Sequence, residues 1–297
     1  MGAKTAIKGY AKINLGLDVV GQLDNGYHLL RSVMQQIDLY DTVELSSLPE
    51  PVPGRKDDSR ILLTSDSGEV PLDESNLACK AAKLLMEHDG LSGGVHIHIL
   101  KKIPVAAGLA GGSADAAAVL IGMNELFGLG HSKEELQKLG LSLGADVPFC
   151  IMGGTALAEG IGERLTRIET IPEMYVVIAK PPIAVSTKYV YENLRLEQAV
   201  HPDTERILEA MRQKDLTEMT ALLRNVLESV SAEKYPLIRQ LKEAMLETGA
   251  AGSLMSGSGP TVFGIFDSME KAAAAEGRLR QIYPQVFVRA ADVVCQR

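Results

Sequence analysis

The chain has 297 residues, enough for one or two domains, and 46% of them are hydrophobic against 23% charged, the balance of a soluble globular protein. A formal charge of -8 argues against general nucleic-acid binding, and no apolar run reaches the length of a membrane span. The N-terminus lacks a signal-peptide core, and Ala6 breaks the myristoylation pattern that Met1 and Gly2 begin. Cys79, Cys150 and Cys295 are odd in number and far apart, so reduced thiols in the core of a cytoplasmic protein are expected. No nucleic-acid or membrane partner is expected, and monomer and homodimer both stay open.

Along the chain, Lys12 and Asn14 fall on one side of an N-terminal strand. "SLPEPVPGRKDDSR" (47–60) reads as an exposed loop, after which "ILLTSD" resumes strand character. "ESNLACKAAKLLMEHDG" spaces Leu77, Ala81, Leu84 and Leu85 helically and stops at Gly90. "VHIHILKKI" alternates as a half-buried strand, with His96 and His98 on one face as exposed or partly packed imidazoles rather than a metal pair. Helices are predicted over 113–127 and "SKEELQKLGLSLG", then strand and turn over "TALAEGIGERL". "MYVVIAKPP" is a buried strand stopped by prolines, and "PTVFGIFD" is another. Helical patterns cover 204–230, "PLIRQLKEAMLETGA" and "SMEKAAAAEGRLRQIY". The mixture points to α/β or α+β, with a boundary near Gly153–Gly162 that divides the chain into 1–158 and 159–297.

The stretch "PVAAGLAGGSADAAAVLIGMN" sets glycines directly against strong helix formers. Gly108, Gly111 and Gly112 let backbone N–H groups come close to a ligand, Ser113 is placed to cap the helix, and the helix start adds unpaired donors and partial positive charge. Together they make a phosphate cradle. No Lys-Ser or Lys-Thr follows the glycines, so this is not a Walker A loop, and the G-x-x-G-G spacing is not the dinucleotide fingerprint. Taken alone, the stretch also reads as a glycine turn before a tightly packed alanine helix.

This stretch resembles the second motif of the GHMP kinases, the superfamily of galactokinase, homoserine kinase and mevalonate kinase. "AKINLGLDVVGQLDNGYHLLRSVMQQIDLYD" and "LMSGSGPTVFGIFD" resemble its first and third motifs, in order and over nearly the whole length. Within the superfamily, Ala-Lys-Ile-Asn-Leu with Asp-Asn-Gly-Tyr-His, and "LGADVPFCIMGGTALAEGIGE", resemble the family that phosphorylates 4-diphosphocytidyl-2-C-methyl-D-erythritol. The resemblance implies a two-domain GHMP kinase fold, with an N-terminal ribosomal-S5-domain-2-like nucleotide domain and a C-terminal ferredoxin-like domain. It implies ATP with magnesium as cofactors, the metal held mainly by the nucleotide, and a cytidine diphosphate-linked methylerythritol as small-molecule partner.

The resemblance also implies site residues. Pro104, Val105, Ala106, Ala107, Gly108, Leu109, Ala110, Gly111, Gly112, Ser113 and Ala114 would hold the nucleotide. Asp146 would accept the proton of the substrate hydroxyl, with Lys12 beside it favouring the ionised carboxylate and orienting that hydroxyl. Asn14 would bind a polyol hydroxyl, Tyr27 and His28 the cytosine, and Thr187 and Tyr191 would approach from the second half. Gly257, Ser258 and Gly259 would steady the phosphate loop and the substrate. Outside the resemblance, Asp146 reads as a capping residue, Lys12 as a solvated lysine and Tyr191 as ordinary packing. One departure stands out: Ala114 occupies the place of a second hydroxyl residue, which predicts altered nucleotide affinity rather than loss of activity. A homoserine- or mevalonate-type kinase, or a non-catalytic nucleotide-binding protein, are the alternatives.

Overall fold

The computed structural model describes residues 3–24, 26–48 and 60–295; most of the proline-rich stretch (49–59) and Asn25 of the "NGYH" turn lie outside them. Two long strands, β1 (Lys4–Gln22) and β2 (His28–Leu48), run through both of the compact units that the chain forms. The units interleave: the first takes residues 1–11, 39–105 and 110–152, the second 12–38, 106–109 and 153–297.

In the first unit, the end of β2 pairs antiparallel with β4 (Gly94–Leu100), and β3 (Ile61–Ser65) lies parallel to β4 through the crossover helix α1 (Leu77–His88). Alternation along β4 turns Val95, Ile97 and Ile99 into the core, while Thr64 Oγ1 bridges His96 Nε2 and His98 Nδ1 at 2.8 Å each on the other face. Asn76 caps α1 by accepting the Ala78 N–H at 2.8 Å. Helix α2 (Gly111–Phe127) is apolar on nearly every side and is correspondingly buried. Its small residues allow close approach: a Cβ on Gly122 would stand 2.1 Å from Leu45 Cδ1. Helix α3 (Lys133–Leu141), opened by a Ser132–Glu135 capping box, and the short α4 (Val147–Met152) complete this unit.

In the second unit, the start of β2 pairs with β5 (Thr155–Gly160), which turns back as β6 (Arg164–Arg167). After β7 (Tyr175–Lys180) and α5 (Thr187–Glu192), the expected helix over 204–230 is broken. Helix α6 (Thr204–Arg212) stops before Lys214, which takes a left-handed φ of 57°, and Asp215 caps α7 (Leu216–Ala221). The two-residue β8 (Arg224–Asn225) pairs parallel with Gly16 and Leu17, and α8 (Glu228–Lys234) follows. An amphipathic period does not exclude caps and a left-handed residue, and Asp215 with Lys214 ended the helix here.

Helix α9 (Pro236–Glu247), β9 (Gly252–Met255), β10 (Val262–Phe266), α10 (Met269–Ile282) and β11 (Phe287–Asp292) end the chain. The last sheet runs β11-β7-β10-β9, antiparallel at every pairing. That strand order, with helices between β7 and β9 and between β10 and β11, is the ferredoxin-like split βαβ arrangement. Ile238, Leu241 and Met245 of α9 and Ala272, Ala275 and Leu279 of α10 join its core. Mixed α and β elements in two compact units agree with the expected α/β or α+β class. All three cysteines are free; Cys79 and Cys150 are half-buried against the core of the first unit, while Cys295 is exposed and departs from the expected core position. No helix among the described residues is long and apolar enough to cross a membrane.

Candidate active site

The glycine-rich segment is shaped by its backbone. Left-handed φ values recur at every second residue, 51° at Ala106, 75° at Gly108 and 58° at Ala110. Two of the three are alanines, which carry a steric cost there that glycine avoids. Sequence reading places Ser113 as the helix cap; instead α2 begins at Gly111, and Ala110 holds the capping position with no side-chain bond. The first helical hydrogen bond runs from the Ala114 N–H to the Ala110 carbonyl at 2.8 Å. The N–H groups of Gly111, Gly112 and Ser113 therefore have no carbonyl behind them in the helix, and the dipole adds to their pull on an anion. Ser113 sits in the first turn with its hydroxyl free of capping duty. A Cβ placed on Gly144 would lie 3.9 Å from Ser113 Oγ, which sets that hydroxyl beside the turn carrying Asp146. Asp146 is half-buried at the start of α4, where its carbonyl accepts the Cys150 N–H at 3.0 Å.

Beneath the cradle lies a charge cluster that sequence reading missed. Lys101 Nζ donates to Asp41 Oδ2 at 2.6 Å and to Asp115 Oδ2 at 2.7 Å, all three side chains being almost wholly buried. Asp41 Oδ1 also accepts the N–H groups of Lys102 and Ile103, at 2.6 and 2.8 Å, just before the loop begins. A Cβ on Gly111 would stand 3.2 Å from the ammonium, so Lys101 runs directly under the first turn of α2. Two carboxylates share one cation. Burial pushes the Asp115 carboxyl up, Lys101 opposes this, the Asp41 charge adds to it, and the result is about 7. Burial alone would lower the Lys101 ammonium, but Asp115 and Asp41 outweigh it and hold it above its usual value. The available signal was an acid inside an alanine-rich helix, an unlikely place for a charge without a buried partner.

In the second unit, three motifs converge through hydrogen bonds. Lys12, only 4% exposed, donates from Nζ to Asn14 Oδ1 at 2.8 Å. The same oxygen accepts the Gly257 N–H at 3.1 Å, and Asn14 Nδ2 donates to Ser32 Oγ at 2.8 Å. Asn14 is thus a buried hub that fixes the lysine. The Lys12 N–H reaches the Leu109 carbonyl at 3.1 Å, and Ser256 Oγ donates to the Gly108 carbonyl at 3.0 Å. Asn225, absent from the sequence-based candidates, donates from Nδ2 to the carbonyls of Met255 and Gly257, both at 2.8 Å. Ser258 shares a hydrogen bond with Thr187 at 2.9 Å between hydroxyl oxygens. The His28 and Tyr191 rings meet with centroids 4.8 Å apart, while Tyr27 remains 60% exposed.

Gly108 shows how tightly this is built. A Cβ there would stand 2.5 Å from the Ser256 carbonyl oxygen and 2.9 Å from that of Gly259, on a left-handed backbone. Gly108→Ala is expected to cost about 2–5 kcal/mol from backbone strain and overpacking together. It should also raise the KM for nucleotide. Thermal melts and ATP titration check this, and a variant with unchanged melting and KM would show that the turn yields freely.

Known proteins match the chain over nearly its whole length. Residues 76–154 match the GHMP kinases N terminal domain, and 207–285 match the GHMP kinases C terminal model. A 4-diphosphocytidyl-2-C-methyl-D-erythritol kinase of Lachnospira eligens is 49% identical over 276 residues, 93% of each chain. One from Clostridium botulinum is 47% identical, over 95% of this chain and 98% of its own. A crystal structure of 4-(cytidine 5'-diphospho)-2C-methyl-D-erythritol kinase superposes with a TM-score of 0.80 at 32% identity, covering 97% of this chain and 99% of that one. Homoserine kinase from Cytophaga hutchinsonii shares the fold, with a TM-score of 0.75 at 21% identity. The fold and these matches define a small-molecule kinase of the GHMP class. The chain belongs, within that class, to the 4-diphosphocytidyl-2-C-methyl-D-erythritol kinase family.

Proposed function

We propose that the protein transfers the γ-phosphoryl group of ATP to the 2-hydroxyl of 4-diphosphocytidyl-2-C-methyl-D-erythritol, a step of non-mevalonate isoprenoid synthesis in the cytoplasm. The observation that carries this is the near full-length identity, 49% in one case, to kinases of that name. Phosphoryl transfer asks the protein mainly for positioning and electrostatic stabilisation. The bare N–H groups of Gly111, Gly112 and Ser113 suit a phosphate chain, and the segment from Pro104 to Ala114 wraps it. Magnesium, a hard cation, would ride on the phosphate oxygens and neutralise their charge.

Asp146 serves as the base that takes the hydroxyl proton, and Lys12 orients the acceptor and offsets charge on the transferred group. Asn14 holds the Lys12 ammonium in place and keeps one amide hydrogen for a substrate hydroxyl. His28 and Tyr191, already ring against ring, form with Tyr27 the aromatic seat of the cytosine. Thr187, Gly257, Ser258 and Gly259 line the approach of the diphosphate and the polyol. The protein acts as monomer or homodimer.

A coupled assay of ADP release with a panel of acceptors tests the reading. Turnover with the cytidyl compound, dependent on magnesium and absent with homoserine and mevalonate, is expected. Phosphorylation of either of those two with the cytidyl compound ignored would replace the substrate assignment.

A further inference from the structure

Away from the kinase centre, two histidines and an aspartate converge where α1 ends and α3 begins. His131 Nε2 stands 2.9 and 3.0 Å from the two carboxylate oxygens of Asp89. His88 Nδ1 approaches the same Asp89 Oδ1 at 3.4 Å, and the two imidazole rings lie edge to face with centroids 5.4 Å apart. All three ligand atoms fall within 4.8 Å of one another. We propose that His88, Asp89 and His131 form a surface binding site for a late first-row divalent cation, zinc above all, that leaves a fourth position to water.

The spacing of the three groups is close to that of a tetrahedral site. Two ligands at about 2.0–2.1 Å from a tetrahedral zinc ion stand about 3.4 Å apart. The His88–Asp89 separation already has that value, and it is too long for a good hydrogen bond. The His131–Asp89 pair needs to open by only about 0.4 Å to reach the same edge. His131 is held for the purpose: Asn124 donates to its carbonyl and accepts its N–H, both at 2.9 Å. Its side chain is 13% exposed, whereas that of His88 is 48% exposed and free to swing the remaining distance. Two imidazoles with one carboxylate suit zinc and its neighbours; magnesium and calcium prefer all-oxygen sets. Such an ion would staple the end of α1 to the start of α3.

The test uses the full-length protein, free of any affinity tag, with zinc alone in competition against a chromophoric zinc indicator. Cys295→Ser removes the exposed thiol as a rival ligand, and His96→Ala removes the other histidine pair. The expectation is one equivalent bound by the wild type and by both controls. His88→Ala and His131→Ala should each weaken binding by more than about tenfold, the loss seen when even outer-shell partners of metal sites are removed. His88 is exposed enough for its variant to fold. Zinc should raise the melting temperature of the wild type and leave that of His88→Ala unmoved. Absence of binding at tenfold excess, or binding that survives both histidine variants, overturns the site.

Discussion

Replacing Asp146 with asparagine should lower kcat by about 10²–10⁴-fold, the usual contribution of a positioned general base. Asparagine keeps the size of the side chain and its acceptor oxygen but takes no proton. The carboxylate sits half-buried before α4, a short helix packed through buried Val147, Phe149 and Ile151. Melting temperature should therefore move little. The proposed nucleotide contacts are main-chain N–H groups of Gly111, Gly112 and Ser113, so the KM for ATP should stay within a few-fold. Steady-state kinetics with the cytidyl acceptor and separate nucleotide titration divide these effects. Full turnover in the variant would mean that the hydroxyl proton leaves to solvent or phosphate, and Asp146 would lose its role. Lys12→Met gives a complementary reading: its ammonium is tied to Asn14 Oδ1, so losing it should depress kcat and also loosen the Gly257 turn that shares that oxygen.

What the sequence revealed and what it hid follow from the range of the interactions. The strand alternation in "VHIHIL" and the helix stop at Gly90 are encoded within a few residues, and each is found where the pattern puts it. The motif order likewise pointed to the cradle. Ser113 is the instructive failure. Local propensity favours serine as a cap, yet the chain continues the helix back to Gly111 and accepts an alanine in a left-handed conformation. A phosphate site gains from this arrangement, because the serine hydroxyl is not spent on its own helix. The Asp41–Lys101–Asp115 cluster was invisible for a different reason. Asp41 lies 60 residues from Lys101 and Asp115 lies 14, and only the pairing of β2 with β4 and the packing of α2 bring them together. Asn225 belongs to the same category, since a two-residue strand has no periodicity to read.

Removing the cation from that cluster should produce the largest loss of stability. Lys101→Met keeps most of the aliphatic stem but leaves Asp41 and Asp115 facing each other in a site with almost no solvent access. Breaking a buried pair by taking one partner costs about 3–5 kcal/mol, and the melting temperature should fall by roughly 10 °C. The penalty has a predictable pH dependence. In the wild type the folded Asp115 carboxyl titrates at about 7, above its unfolded value of 3.8. The folded state then holds its proton more tightly than the unfolded chain, so Asp115 contributes stability at low pH that is lost as pH rises through about 7. Without Lys101 nothing remains to favour ionisation, and the proton is held more tightly still. The variant should therefore be nearest to wild type around pH 5 and furthest from it above pH 8. Adding Asp115→Asn removes one of the two charges and should restore part of the loss at high pH, where the single variant suffers most. Asp41 still has the Lys102 and Ile103 N–H groups, so the loop entry keeps its anchor and the double variant should bind ATP better than the single one. Melting curves at both ends of this pH range decide the matter: a loss below about 1 kcal/mol, or one equal at pH 5 and pH 8, would mean that water or backbone movement neutralises the cluster without the lysine.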